Sequence, residues 1–156
     1  SVAASLTVTG NRVEWNSTAG FKLVNGCAVN ITGNYFDRTF GPAIWLGDKN
    51  GARFSDVTVS SNFFYRGGCP DHNDFTDEYE GSHILFDGAA NVTLTGNSFK
   101  IGENDGGGGT KSPEYGIVVR NSDVIAATSN VFKNGYLREK IVWDNVGDCV
   151  FENNLG

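Results

Sequence analysis

The chain contains no methionine, only 3 prolines and only 3 cysteines in 156 residues. Cys27, Cys69 and Cys149 are odd in number and lack metal-ligand spacing, which argues against a disulfide scaffold and a zinc site. No stretch approaches the roughly eighteen apolar residues of a membrane-crossing helix. The first residues, "SVAASLTVTG", show neither the charged nor the apolar region of a secretion signal, although a fragment or mature chain could have lost one. Clustered positive charge is also missing. With a formal net charge of -6 and no Lys/Arg run, neither nucleic acid nor an anionic membrane is the expected partner. Apolar residues do not recur at the 3.6-residue helical period, so helical repeats are excluded as well.

Glycine, asparagine and phenylalanine are abundant, with 21 Gly and 11 Phe, a composition of turns and β-formers. They are arranged in repeats. "LTVTGNRV", "VNITGNYF", "VTVSSNFF", "VTLTGNSF" and "IAATSNVF" align on Asn11, Asn34, Asn62, Asn97 and Asn130, and Asn154 follows more weakly, at intervals of 23, 28, 35, 33 and 24. Five and three residues before each Asn stand apolar side chains such as Val29 and Ile31. Two residues after it comes Val13, Phe36, Phe64, Phe99 or Phe132. The pattern is a strand of period two, a bend, and a return to the core.

A second strand recurs between these motifs: "GFKLVN", "AIWLGD", "HILFDG", "GIVVRN" and "KIVWDN". Its expected inward pairs are Phe21/Leu23, Ile44/Leu46, Ile84/Phe86, Ile117/Val119 and Ile141/Trp143. Outward would stand Lys22, Trp45, Leu85, Val118 and Val142, flanked by an Asp87, Arg120, Asp144 column expected to form a salt-bridged ladder. Such short strands bury nothing alone and must stack on their neighbours.

The cadence resembles the right-handed parallel β-helix of the pectate-lyase-like superfamily, over nearly the whole chain. The resemblance implies an all-β solenoid of about five coils forming one domain, 1–156, with the Asn residues stacked in a ladder and each Asn supplying the left-handed bend. No capping helix or polar strand is legible at either end, so a piece of a larger protein or an oligomer is expected.

Two coils are longer than the others, both between the motif's Phe and the next strand. The insertions are "YRGGCPDHNDFTDEYEGS" (65–82) and "KIGENDGGGGTKSPEYG" (100–116), and belonging to successive coils they should emerge side by side. Long loops on a rigid scaffold are common places for binding residues. Both are acidic and carry tyrosines. Glycoside hydrolysis needs two carboxyl groups roughly 5–9.5 Å apart, together with aromatic surface for the sugar rings.

Within the superfamily the chain resembles the body of a bacteriophage tailspike or related polysaccharide depolymerase. That resemblance implies a glycoside hydrolase acting on bacterial surface polysaccharide, extracellular or on a virion surface, and packed as a homotrimer through the outward apolar column. Its catalytic pair would be Asp74 or Glu78 with Glu103 or Asp105, and Trp45, Tyr79 and Tyr115 would be sugar platforms. A polysaccharide lyase is an alternative, with Arg66 and Lys100 as the cation and base that a uronate requires. A non-catalytic carbohydrate-binding or structural solenoid is another. No cofactor is expected: Asp71, Asn73 and Phe75 match a Ca²⁺ loop only in part, lacking its Gly at position six and its Glu at position twelve. His83 is expected on the surface of its strand.

Overall fold

The computed structural model describes residues 5–48, 50, 53–68, 75–102 and 113–156. Among these residues fifteen strands, numbered in chain order, form three sheets, and every pairing between them is parallel. The first sheet stacks β1 (Leu6–Thr9), β4 (Gly26–Thr32), β7 (Phe54–Ser60), β10 (Ala89–Thr95), β13 (Asp123–Thr128) and β15 (Cys149–Glu152). The second stacks β2 (Arg12–Glu14), β5 (Tyr35–Asp37), β8 (Phe63–Tyr65) and β11 (Ser98–Lys100). The third stacks β3 (Phe21–Leu23), β6 (Ile44–Gly47), β9 (Ser82–Asp87), β12 (Tyr115–Arg120) and β14 (Glu139–Asp144). One strand from each sheet makes each of the first four coils, isolated bridges at Val131 stand in for the second-sheet strand of the fifth, and successive coils stack into a parallel β-helix. The sequence pattern shows two strands per repeat; the third is the tripeptide after each ladder Asn, too short to display alternation.

Side chains alternate as the period-two pattern requires. Val29, Ile31, Val57, Val59, Val92 and Leu94 point in from the first sheet, and Ile44, Leu46, Ile84, Phe86, Ile117 and Val119 from the third, all in one core cluster. The second sheet contributes a column of rings. Phe36, Phe64, Phe99 and Phe132 stack with centroids 5.2, 4.8 and 4.4 Å apart and planes within 10°. Each such contact contributes about 0.5–1.5 kcal/mol beyond its buried area.

The asparagines form the expected ladder, and its bonding explains the motif. Each Asn from Asn11 to Asn130 donates from its backbone N–H and its Nδ2 to the Oδ1 of the next Asn along the stack. The remaining Nδ2 proton is used as well, Asn62 donating to the Ile31 carbonyl and Asn97 to that of Val59. One expectation is corrected. The left-handed residue at the bend is not the Asn but its predecessor: Gly10, Gly33, Ser61, Gly96, Ser129 and Asn153 all have φ between 55° and 67°. The Asn is kept for its side chain, the residue before it for its backbone.

A second, shorter ladder closes the third sheet. Asn145 Nδ2 donates to Asn121 Oδ1 at 2.8 Å, and Asn121 Nδ2 to Asp87 Oδ1 at 2.9 Å.

His83 is a further correction, because it is fully buried rather than on the surface. Register places it between Ala43 and Gly116, immediately before the inward Ile44, Ile84 and Ile117. At this corner the chain turns inward one residue early. The imidazole lies 6.1 and 5.6 Å from the rings of Phe64 and Phe99.

Candidate functional site

The two insertions leave from β8 and β11, which pair, and return to β9 and β12, which also pair. Their roots are therefore neighbours. The returning part of the first insertion makes one 3-10 turn, Glu78–Glu80. Asp77 caps it, its Oδ1 accepting the Tyr79 N–H at 3.0 Å. The other oxygen of Asp77 accepts from Arg120 Nη1, while Arg120 Nε donates to Asp87 Oδ2 at 2.8 Å. Part of the expected ladder is present: Arg120 bridges Asp87 below it to Asp77 of the insertion, and Asp144 remains exposed. This latches the insertion onto the third sheet.

Latching turns Tyr79 toward the sheet. Tyr79 meets Tyr115 edge to face at 5.6 Å, and together with Trp45 and Val142 these rings enclose Leu85 and Val118. The outward apolar column expected to suit a homotrimer is thus covered largely by the chain's own insertion. Tyr115 is 3% exposed, so its ring presents no open face to a sugar. Burial first, then the charge of Glu78, raises the Tyr115 hydroxyl above its ordinary value. Burial does the same for Tyr79.

Between the turn and the outer face of β3 and β6 lies a groove of about 230 Å³. Trp45 forms its apolar wall, and the Lys22 ammonium sits 3.1 Å from the centre of the indole. Asp48, Asp77 and Glu80 supply acceptors. All three are oriented: Asp77 by Tyr79 and Arg120, Glu80 Oε1 by Thr76 Oγ1, from which it accepts at 2.8 Å, and Asp48 Oδ1 by the Asn50 N–H at 2.9 Å. Among the described residues the buried Trp45 Nε1–H has no acceptor.

The site residues read from sequence divide between two flanks. Trp45, Glu78, Tyr79 and Tyr115 come together beside the third sheet. Asp74, Glu103 and Asp105 lie outside the described residues, as do Asp71 and Asn73 of the partial Ca²⁺ loop. Glu78 is two-thirds exposed, its Oε2 accepting from the Tyr115 hydroxyl at 3.3 Å and facing Arg138 Nη1 at 3.9 Å. Arg66 and Lys100 stand on the second sheet instead. Arg66 is nearly buried and forks onto both oxygens of Asp37, its Nε at 2.6 Å from Oδ1, so it does not present the open cation a lyase needs. Lys100 is exposed, 5.4 Å from the centre of the Tyr65 ring.

Sequence reasoning assigned none of Lys22, Asp48, Asp77 and Glu80 to a site. Only Asp77 carried a local signal, an Asp directly before a short turn. The others meet through the fold alone. Among the described residues no group of three or more His, Cys, Asp or Glu side chains is placed to hold a metal.

Three parallel sheets, stacked coils and an asparagine ladder make a parallel β-helix. A family profile described as "Right handed beta helix region" matches residues 3–155, nearly the full length, and the chain belongs to that family.

Proposed function

We propose that this β-helix is a carbohydrate-active protein that holds a polysaccharide against its third sheet, in the groove between Trp45 and the Glu78–Glu80 turn. The groove itself supports this reading. It sets an indole whose N–H has no acceptor among the described residues beside oriented carboxylates and an ammonium. Apolar wall plus converging donors and acceptors is what a sugar ring requires, and the volume is below the roughly 300–1,000 Å³ of drug-sized ligand sites, matching one or two rings. The test is binding to a panel of capsular and O-antigen oligosaccharides. Trp45→Ala and Asp48→Asn each weaken binding to the preferred glycan; unchanged affinity in both, or binding to no glycan by the folded protein, overturns the reading.

A second reading, tailspike-type hydrolysis of bacterial surface polysaccharide outside the cell, has one observation in its favour. Glu78 of the first insertion is hydrogen-bonded to Tyr115 at the root of the second, so the second insertion, which carries Glu103 and Asp105, rejoins the sheet beside it. Release of reducing ends without ultraviolet-absorbing products, lost in Glu78→Gln and in Glu103→Gln or Asp105→Asn, supports hydrolysis. Unsaturated products would indicate a lyase, and no cleavage would leave glycan binding alone.

A further inference from the structure

The corner between the second and third sheets holds polar groups that neither the groove nor the apolar core accounts for. Two residues beyond Asp37, Tyr65 and Lys100, which are in register, stand Thr39, Gly67 and Gly102, and the Ser98–Val131 bridge adds Gly135 to the same column. Three successive coils therefore bring no side chain to this corner. Thr39, Ala43 and the inward-turned His83 close it instead.

Thr39 and His83 are both fully buried. Among the described residues, neither the Thr39 hydroxyl nor either ring nitrogen of His83 has a hydrogen-bond partner. The Gly135 backbone favours the protonated ring, but without the geometry of an ordinary hydrogen bond. The two unpartnered groups are aimed at one spot. Thr39 turns its methyl toward the preceding coil, with Cγ2 2.9 Å from the place a Gly20 Cβ would take, and its hydroxyl toward the following one. The place a Gly67 Cβ would take has Thr39 Oγ1 at 3.1 Å, His83 Nδ1 at 3.2 Å and Ala43 Cβ at 3.5 Å as its nearest neighbours. The open side of Gly67 is thus lined by a hydroxyl, a ring nitrogen and a methyl.

Two buried polar groups that face one small space without bonding each other make a site for a guest that can serve both. The donor set excludes a cation, since two neutral groups with no carboxylate cannot offset a desolvated charge. Water both donates and accepts, and a buried water needs about two to four polar partners. We infer that one water molecule is bound inside the solenoid beside Gly67, hydrogen-bonded to Thr39 Oγ1 and His83 Nδ1. It ties the coil of β4–β6, which carries Thr39, to the coil of β7–β9, which carries His83, at a corner where glycines give no side chains to stack. Glycine at 67 belongs to the site, because any side chain there takes the water's place.

The experiment is a crystal structure of the full chain at a resolution that shows ordered water, joined to water–protein cross-relaxation NMR in solution. The expected result is a single peak about 2.7–3.2 Å from both Thr39 Oγ1 and His83 Nδ1, with cross-relaxation of a long-lived water to the His83 ring protons. Thr39→Val, which keeps the shape and removes the hydroxyl, abolishes both signals. Gly67→Ala does the same by filling the space, and Gly67 lies outside the left-handed region, so alanine adds no backbone strain there. Should either variant fail to fold, the parent protein's structure and spectra decide alone. An empty corner in the parent, a direct Thr39 Oγ1–His83 Nδ1 hydrogen bond, or a peak that survives either substitution overturns the inference.

Discussion

Asn97 Oδ1 accepts two hydrogen bonds from Asn62, one from its backbone N–H and one from its Nδ2, each 3.0 Å long. Both residues are buried, so neither donor can turn to water if the acceptor is removed. Asn97→Ala therefore strands both donors and also removes the Nδ2 bonds to Asn130 Oδ1 and the Val59 carbonyl, Asn130 Oδ1 keeping only the bond from the backbone N–H of residue 97. A buried unpaired polar group costs about 1–3 kcal/mol, so the expected loss is about 3 kcal/mol or more. Asn97→Asp keeps the acceptor but sets a carboxylate oxygen against Asn130 Oδ1 and the Val59 carbonyl. Its destabilisation should shrink as acid protonates the carboxyl, whereas that of the alanine variant has no such dependence. Urea melts at pH 7 and pH 4.5 distinguish the two.

Val124 has φ +53° and is half exposed, in register with Asn91 at the same φ. A β-branched residue is poorly suited to this region, where an L side chain costs about 1–2 kcal/mol. Asn tolerates it. Asn91 in the coil below bonds Asp56 Oδ1 at 2.6 Å, so Asn at 124 would also extend a polar column. Val124→Asn should stabilise by about 1 kcal/mol, raising the melting temperature by about 3 °C in calorimetry. A lower melting temperature would show that Val124 contributes packing that outweighs its backbone strain.

The coil register was legible because its two strongest signals, the apolar pairs and the Asn, are local and repeat. Trp45 was legible as an outward aromatic for the same reason. Lys22 beside it was legible as a neighbour in the column, but not as a cation resting on the indole, because side-chain direction is not periodic. Tyr79 and Tyr115 could be placed on the insertions, whereas their inward orientation depends on the Asp77–Arg120 latch, a contact between residues 43 apart. His83 shows the other limit. Strict alternation assigns it outward, and only the corner geometry, which lets Ala43 and Gly116 stack around it, turns it into the core.

Burial lowers the His83 pKa to about 3 against an ordinary value of 6.5, the Gly135 backbone opposing the shift only in part. The unfolded chain takes up a proton below pH 6.5 that the folded chain refuses. His83 thus imposes no penalty above pH 6.5 and progressively destabilises the fold as the pH falls toward 3, with a limiting slope of about 1.4 kcal/mol per pH unit. His83→Leu removes this dependence while keeping an apolar filling between Phe64 and Phe99. The difference in unfolding free energy between pH 7 and pH 5 should be smaller in the variant by about 1–2 kcal/mol. Equal pH dependence in both proteins would mean that the imidazole is protonated in the folded state.

Arg120 joins stability to the groove, because one guanidinium serves the buried Asp87 and the latch at Asp77. Arg120→Leu leaves Asp87 buried and unpaired, a loss expected at about 3–5 kcal/mol. Arg120→Lys keeps the charge but not the fork, so it can hold Asp87 or Asp77, not both. The lysine variant should fold with a smaller loss, about 1–2 kcal/mol, and yet release the Glu78–Glu80 turn that positions Glu80. Glycan affinity at the groove should then fall about tenfold under conditions where the variant is fully folded. Urea melts and glycan binding on one preparation give the answer. Affinity lost in a fully folded variant would mean that the latch orders the turn, and unchanged affinity that it does not.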